Sequence, residues 1–262
     1  MSVTLLMPVI NELEGLREIM PHVDRGLITQ VLVIDGGSTD GSFEYSKSRG
    51  WDVIRQSGKG VRQAYLDAFP HIKGEIVISF SPDGNSDVAR LGPLVDKMRE
   101  GYDMVIVSRY TDGAKSQDDT AMTAFGNWAF TFLVRLLGNC RITDAMVIYR
   151  AYRKELIPRL RLNNLRSPWW EKHVGRYVGW EPQLSIRSAC RGVRLGEIPG
   201  DEPPRIAGIT RIHHYRVALS CFYAVVQDWI QWKLFAARTV EQGVRAGVAQ
   251  TSTKGGELHA AD

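Results

Sequence analysis

Asp35 stands where chemistry is easiest to place in this chain. Val31, Leu32, Val33 and Ile34 are apolar β-formers that run into Asp35 and then into the turn-forming cluster Gly36-Gly37-Ser38-Thr39-Asp40-Gly41. The pattern predicts a buried strand that ends at the acid and a helix that opens after the glycines. In an open α/β sheet, the carboxyl ends of strands are where ligands bind. A carboxylate there can accept hydrogen bonds from N–H groups. Taken alone, the same junction also reads as a turn, with Ser38 or Asp40 capping the next helix.

The junction is repeated along the first half of the chain. An apolar strand from Val3 to Met7 runs into Pro8-Val9-Ile10-Asn11-Glu12. Ile76 to Phe80 ends in Ser81-Pro82-Asp83-Gly84-Asn85-Ser86-Asp87, and Met104 to Val107 ends in Ser108-Arg109-Tyr110. Each strand delivers polar side chains to the same predicted sheet edge. Gly58-Lys59-Gly60 adds a backbone that a ligand can approach closely and one cation suited to a phosphate, or else a solvated turn before a helix.

The elements needed to hold these residues follow from the pattern. Strands are expected near 3–8, 31–35, 52–55, 75–80 and 104–108, with helices near 13–20, 41–48, 60–69 and 87–99 between them. That alternation predicts an α/β fold with a mostly parallel, Rossmann-like sheet and helices on both faces. Residues 110–120 form a polar, Gly-containing loop of the kind that serves as a lid, and an apolar helix is expected from about Met122 to Leu137. Beyond it the pattern loosens into short apolar pieces at Ala145–Tyr149 and Val193–Ile198. Trp169, Trp170 and Trp180 mark an aromatic-rich segment that reads as core or as a platform for sugar or lipid.

A proline-stiffened loop follows at 201–208, then a helix from Ile212 to about Val240. In that helix Phe222, Val225, Val226, Trp229, Trp232 and Leu234 cover much of the circumference. This suits packing or dimerisation first and a membrane surface second. The tail 246–262 is expected to be disordered.

Composition narrows the class. With 44% apolar and 24% charged residues in 262, the bulk of the chain is a globular protein and not a disordered one. The net charge of +4 suits an anionic small molecule or a membrane surface, and no nucleic-acid partner is expected. Cys140, Cys190 and Cys221 are widely spaced without metal-ligand spacing, which predicts free thiols in a reducing compartment. The N-terminus lacks a secretory signal and Val217–Val226 is far shorter than the roughly 20 residues of a membrane span. A cytoplasmic protein is expected, at most peripheral to the inner face of the membrane.

Taken together and in order, Pro8-Val9-Ile10-Asn11-Glu12, the 34–41 junction, Gly58-Lys59-Gly60, Ser81-Pro82-Asp83, Ser108-Arg109-Tyr110 and Arg205 with Gly208 make the chain resemble glycosyltransferase family 2. The resemblance is to its branch of dolichyl- and polyprenyl-phosphate sugar synthases, and it spans about residues 3–215. It implies a GT-A fold over 1–215, with a nucleotide-sugar half (about 1–109), an acceptor half (about 110–215) and a C-terminal helix (216–245). It also implies inverting transfer of a sugar from a nucleoside diphosphate sugar, UDP- or GDP-linked, to a polyprenyl phosphate or a saccharide.

By the same resemblance Pro8, Asn11, Glu12 and Asp35 face the nucleoside, Lys59 and Arg205 the diphosphate, and Asp83 a Mg²⁺ or Mn²⁺ ion. Ser81 replaces the first acid of the family's DXD motif, which leaves Asp87 or the diphosphate to supply a further ligand. Gly36 stands where the family often has a second acid. Arg205 is expected to act in the chemical step, Asp144 to be the first candidate for a base, and Glu181 and Arg211 to lie on the acceptor side. Two rival readings are a nucleotidyltransferase, which would carry a longer Gly-rich loop than Met7–Gly15 offers, and a silent nucleotide-sugar binding protein.

Overall fold

The computed structural model of the protein describes residues 1–164, 180–206 and 216–234. In chain order it runs β1 (Val3–Val9), α1 (Leu13–Ile19), β2 (Gln30–Asp35), α2 (Ser42–Ser48), β3 (Asp52–Arg55), α3 (Val61–Ala68), β4 (Ile76–Ser79) and α4 (Leu91–Arg99). There follow β5 (Met104–Ser108), α5 (Ala121–Gly138), β6 (Arg150–Arg153), α6 (Leu156–Arg159), α7 (Trp180–Cys190) and β7 (Leu195–Pro199). A last helix, α8, occupies 216–234. The expected α/β alternation of the first half is present nearly residue for residue. β1 and β2 are buried almost throughout, as parallel strands covered on both faces must be.

The seven strands lie in the order β3-β2-β1-β4-β6-β5-β7. β1 pairs parallel with β2 and β4, β2 with β3, and β5 with β7. β6 runs antiparallel between β4 and β5. All the other strands therefore point one way, and their carboxyl ends share one edge.

Three elements depart from the expectation. β6 is a strand where only the apolar piece just before it was noticeable, because Arg150-Ala151-Tyr152-Arg153 carries no apolar run. Arg150 is nevertheless fully buried, donating to the Val147 and Ala145 carbonyls and, at 2.8 Å, to the Ser185 hydroxyl. α7 escaped the pattern for the opposite reason. Every residue in it but Arg187 is buried, so no polar face marks the helical period. The expected helix over 87–99 begins as a single 3₁₀ turn, Val88–Arg90, capped by the Asp87 side chain on the Ala89 N–H at 2.9 Å.

The core joins both halves of the chain. Trp180 is buried and its ring stacks on Tyr65 with centroids 5.1 Å apart, which settles it as core and not platform. Trp169 and Trp170 lie outside the described residues, as do 235–262. α8 buries Cys221, Ala224 and Val225, so one side of it is packed on the domain as expected. The three cysteines are free thiols.

Candidate functional site

The turns after β1 and β2 are stitched to each other. Asn11 adopts a left-handed backbone, φ 58°, a conformation asparagine tolerates better than most residues. Its side-chain oxygen accepts the Thr39 N–H at 2.8 Å while its own N–H reaches the Ser38 hydroxyl at 3.0 Å. The Glu12 N–H binds the Ser42 hydroxyl and the Leu13 N–H binds Asp40. Asp35 is buried at the end of β2, its carboxylate accepting from the N–H groups of Gly37 and Ser38. These bonds fix the sheet edge before any ligand arrives.

The turn after β4 is pressed against them. A Cβ on Gly15 would stand 2.0 Å from the Pro82 carbonyl oxygen, so only glycine lets α1 rest directly on the Ser81-Pro82-Asp83 turn. Gly84, at φ +99°, lets the chain double back so that Asp83 and Ile206 meet, the Ile206 N–H donating to the Asp83 carbonyl at 2.8 Å.

Four residues from four segments of the chain, Glu12, Asp83, Asp118 and Arg205, then face one another. Asp83 is buried, and its Oδ2 lies 3.4 Å from Arg205 Nη1, while Arg205 Nε donates to Asp118 at 3.1 Å. Glu12 sits nearby with one buried carboxylate oxygen that has no partner. Burial, reinforced by the charge of Asp83 and only partly offset by Arg205, pushes the Glu12 carboxyl up to about 7. Burial works against the Arg205 charge, but Asp118 and Asp83 outweigh it and hold that guanidinium more firmly protonated.

A second arginine organises the far side. Arg109 follows β5 and grips Asp144 with two nitrogens, Nε at 2.7 Å and Nη2 at 3.1 Å, while Nη1 donates to Glu202 at 3.0 Å. Glu202 in turn accepts from the Ser116 hydroxyl, and its backbone pairs with Lys115 and Gln117. The polar loop at 110–120 and the proline-stiffened loop, described over 201–206, are thus joined by backbone pairing into one ribbon.

Between these groups lies a cavity of about 950 Å³. One end is polar, walled by Glu12, Ser81, Asp83, Asp118 and Arg205. The other is apolar, lined by Met122, Phe125, Phe130 and Leu133 from α5 and by Val217 and Phe222 from α8.

The expected site residues divide accordingly. Pro8, Glu12, Ser81, Asp83 and Arg205 line the cavity. Asn11 and Asp35 shape the adjoining turns, and Lys59 is exposed on its own turn two residues before Val61, which does reach the wall. Asp144 faces no open space. It is fully buried with both oxygens on Arg109, so it holds that arginine and is not placed as a base. Glu181 is likewise inside the core and not on an acceptor wall, close to Arg150 and Tyr65, where burial raises its carboxyl. Asp87 is committed to its helix cap and to Arg90. Arg211 lies outside the described residues. Arg109 and Asp118 also line the cavity, and neither was given a role from the sequence. Ser108-Arg109-Tyr110 at a strand end was the available signal for the first, and no local pattern marks the second.

Among the described residues no three His, Cys, Asp or Glu side chains form a ligand set of their own. Asp83, with the unpartnered oxygen of Glu12 close by, suits an ion such as Mg²⁺ that binds through one or two carboxylates and completes its shell with water and substrate phosphates.

Known proteins share the family and the fold of this chain. The family model described as Glycosyl transferase family 2 matches residues 4–161. The chain belongs to glycosyl transferase family 2. It is 29% identical over 211 residues to glycosyltransferase AglJ of Haloferax volcanii, covering 79% of this chain and 65% of that one. To the dolichyl-phosphate hexose transferase of the same organism it is 28% identical over 237 residues, covering 89% and 96%.

The fold resembles glucosyl-3-phosphoglycerate synthase of Mycobacterium tuberculosis, crystallised with Mn²⁺, uridine diphosphate and phosphoglyceric acid. The TM-score is 0.63 at 16% identity, over 87% of this chain and 78% of that one. The mostly parallel sheet with its helices is thus the GT-A fold of this glycosyltransferase family.

Proposed function

We propose that this glycosyltransferase moves a sugar from a nucleoside diphosphate sugar, UDP- or GDP-linked, to the phosphate of a polyprenyl phosphate by inverting displacement. The observation that carries the reading is the cavity with an acid-and-arginine end and an apolar end, which suits an acceptor with a charged head and a hydrocarbon tail. A dolichyl-phosphate hexose transferase among the relatives supports it. A saccharide acceptor would find few polar partners at the apolar end.

In this reading the turns carrying Asn11, Glu12 and Asp35 hold the nucleoside, Lys59 approaches the donor phosphates, and Arg205 stands over the diphosphate. Asp83 would hold Mg²⁺ or Mn²⁺, which when bound would neutralise phosphate charge. The acceptor phosphate oxygen attacks the anomeric carbon from the side opposite the nucleoside diphosphate. A new C–O bond forms as the old one breaks, and the leaving diphosphate gains charge beside Arg205. A phosphate is already ionised at neutral pH, so no strong base is required, in agreement with the buried, paired state of Asp144. Arg109 and Asp144 fix the wall on which the acceptor lies. We place the enzyme at the cytoplasmic side of the membrane. Among the described residues no helix is long and apolar enough to cross it.

The test is transfer of radiolabelled sugar from UDP- and GDP-sugars to a short-chain polyprenyl phosphate in detergent, followed by organic extraction. Label in the organic phase, dependent on Mg²⁺ or Mn²⁺, is expected. Release of free nucleoside diphosphate without a lipid product, for every donor tried, would remove the acceptor from this reading.

A further inference from the structure

Ten of the fourteen large hydrophobic side chains exposed among the described residues belong to α5 and α8. α5 buries Asn127, Phe130, Thr131 and Val134 against the domain. On its outward side Phe125, Trp128, Phe132 and Leu136 are 66%, 62%, 54% and 66% exposed. Steps of three and four residues put these four on one stripe. Their rings form a ladder, Phe125 on Trp128 with centroids 5.8 Å apart and Trp128 on Phe132 at 5.9 Å. A surface helix ordinarily turns its charged face to water, and here that face is aromatic. α8 repeats the arrangement, with Leu219, Phe222, Tyr223, Ile230 and Leu234 outward and Cys221, Ala224 and Val225 inward.

Charge decides what covers this surface. Within α5 the only charged residue is Arg135, which is exposed. The charged residues of α8 are Arg216, Asp228 and Lys233, and the one acid among them is buried and bound to Arg187 at 2.7 Å. Every exposed charge on the two helices is therefore cationic. Aromatic and aliphatic side chains bordered by cations match the headgroup region of an anionic bilayer. The cavity opens toward the same side, because Met122, Phe125 and Phe222 belong both to its wall and to the exposed set.

We propose that the outward faces of α5 and α8 lie on an anionic lipid bilayer and bring the apolar mouth of the cavity to the membrane surface. This deepens the acceptor reading by naming the surface from which a lipid enters, but it rests on exposed side chains and is tested by adsorption without turnover. The helices would lie along the surface, and over the described residues neither is long and apolar enough to span it.

The test uses the full chain, without nucleotide or metal, in flotation with vesicles of phosphatidylcholine alone or mixed equally with phosphatidylglycerol. The protein is expected to float with the mixed vesicles, to release as salt rises, and to bind phosphatidylcholine alone more weakly. The triple change Trp128→Ser, Phe132→Ser and Leu136→Ser, all outside the cavity wall, is expected to weaken adsorption on the order of tenfold or more. A second readout needs only one mild substitution: quenching of tryptophan fluorescence by brominated lipids is expected to fall in Trp128→Phe. Absence of flotation, or equal adsorption and equal quenching in wild type and variants, overturns the proposal. A dimer in sedimentation analysis that the triple change dissociates would assign the face to a second copy and overturn it as well.

Discussion

At the polar end of the cavity, Glu12, Ser81 and Asp83 follow strands β1 and β4, whereas at the apolar end Met122, Phe130 and Phe222 come from two helices. The strand-end turns of the polar end are held by side chains bonded to turn N–H groups. Some of these bonds lie within one turn, as Asp35 with Gly37 and Ser38, and some join neighbouring turns, as Asn11 with Thr39. The far wall is held by contacts across long stretches of chain, as in Arg109 with Asp144 and Glu202. A site of this kind separates what must be placed accurately from what must be shaped loosely. In the proposed reading the donor phosphates need fixed geometry and a hydrocarbon tail needs volume.

Breaking the far wall is expected to have the largest effect. Asp144→Ala leaves the Arg109 guanidinium buried without its main partner, and loss of such a partner costs about 3–5 kcal/mol. Urea unfolding should show that loss. An exposed pair in the first half, Lys73 with Asp52, should change stability by less than about 1 kcal/mol when Lys73 is replaced by Ala. Similar losses in the two variants would erase the distinction between the regions.

Arg205 stands at the polar end, and its removal is expected to affect turnover more than binding. Arg205→Ala should lower kcat on the order of a hundredfold while changing nucleoside diphosphate affinity much less, as loss of a charge contact to the leaving group does. Steady-state kinetics beside a binding titration measure both. Wild-type turnover would return Arg205 to the status of a loop charge.

The differing legibility of the two regions has the same physical origin. Strand, acid and turn residues are contiguous at 31–41 and at 76–87, so both the GT-A sheet edge and the acids at its turns could be read directly. Asp118 could not, because it meets Arg205 only after two loops pair 87 residues apart. Asp144 and Glu181 were expected as site acids from the resemblance, and their burial beside Arg109 and Arg150 could not be read because burial is a tertiary property. β6 and α7 were missed for a related reason: one is polar in sequence yet buried, and the other is buried on nearly all sides, so neither shows a period.

A smaller effect sharpens the polar end. Glu12 holds its proton up to about 7 in the folded chain against an ordinary value of 4.5, so the folded state binds more protons in between. The group therefore contributes stability that is full below 4.5 and is lost as the pH rises through about 7. Glu12 is half-buried, which discounts the effect for solvent screening. The melting temperature of the free protein should fall by about 2–4 °C more across that window in wild type than in Glu12→Gln. Parallel profiles would mean that Glu12 is solvated like an ordinary surface acid.

The most direct test of the account is calorimetric titration of UDP and GDP into wild type and Asp83→Ala, each with and without Mn²⁺. If the polar end holds a donor diphosphate and its ion through Asp83, Mn²⁺ will tighten binding of one nucleotide in wild type, and Asp83→Ala will lose that enhancement while retaining the metal-free affinity. The same Mn²⁺ enhancement in both proteins would contradict the assignment.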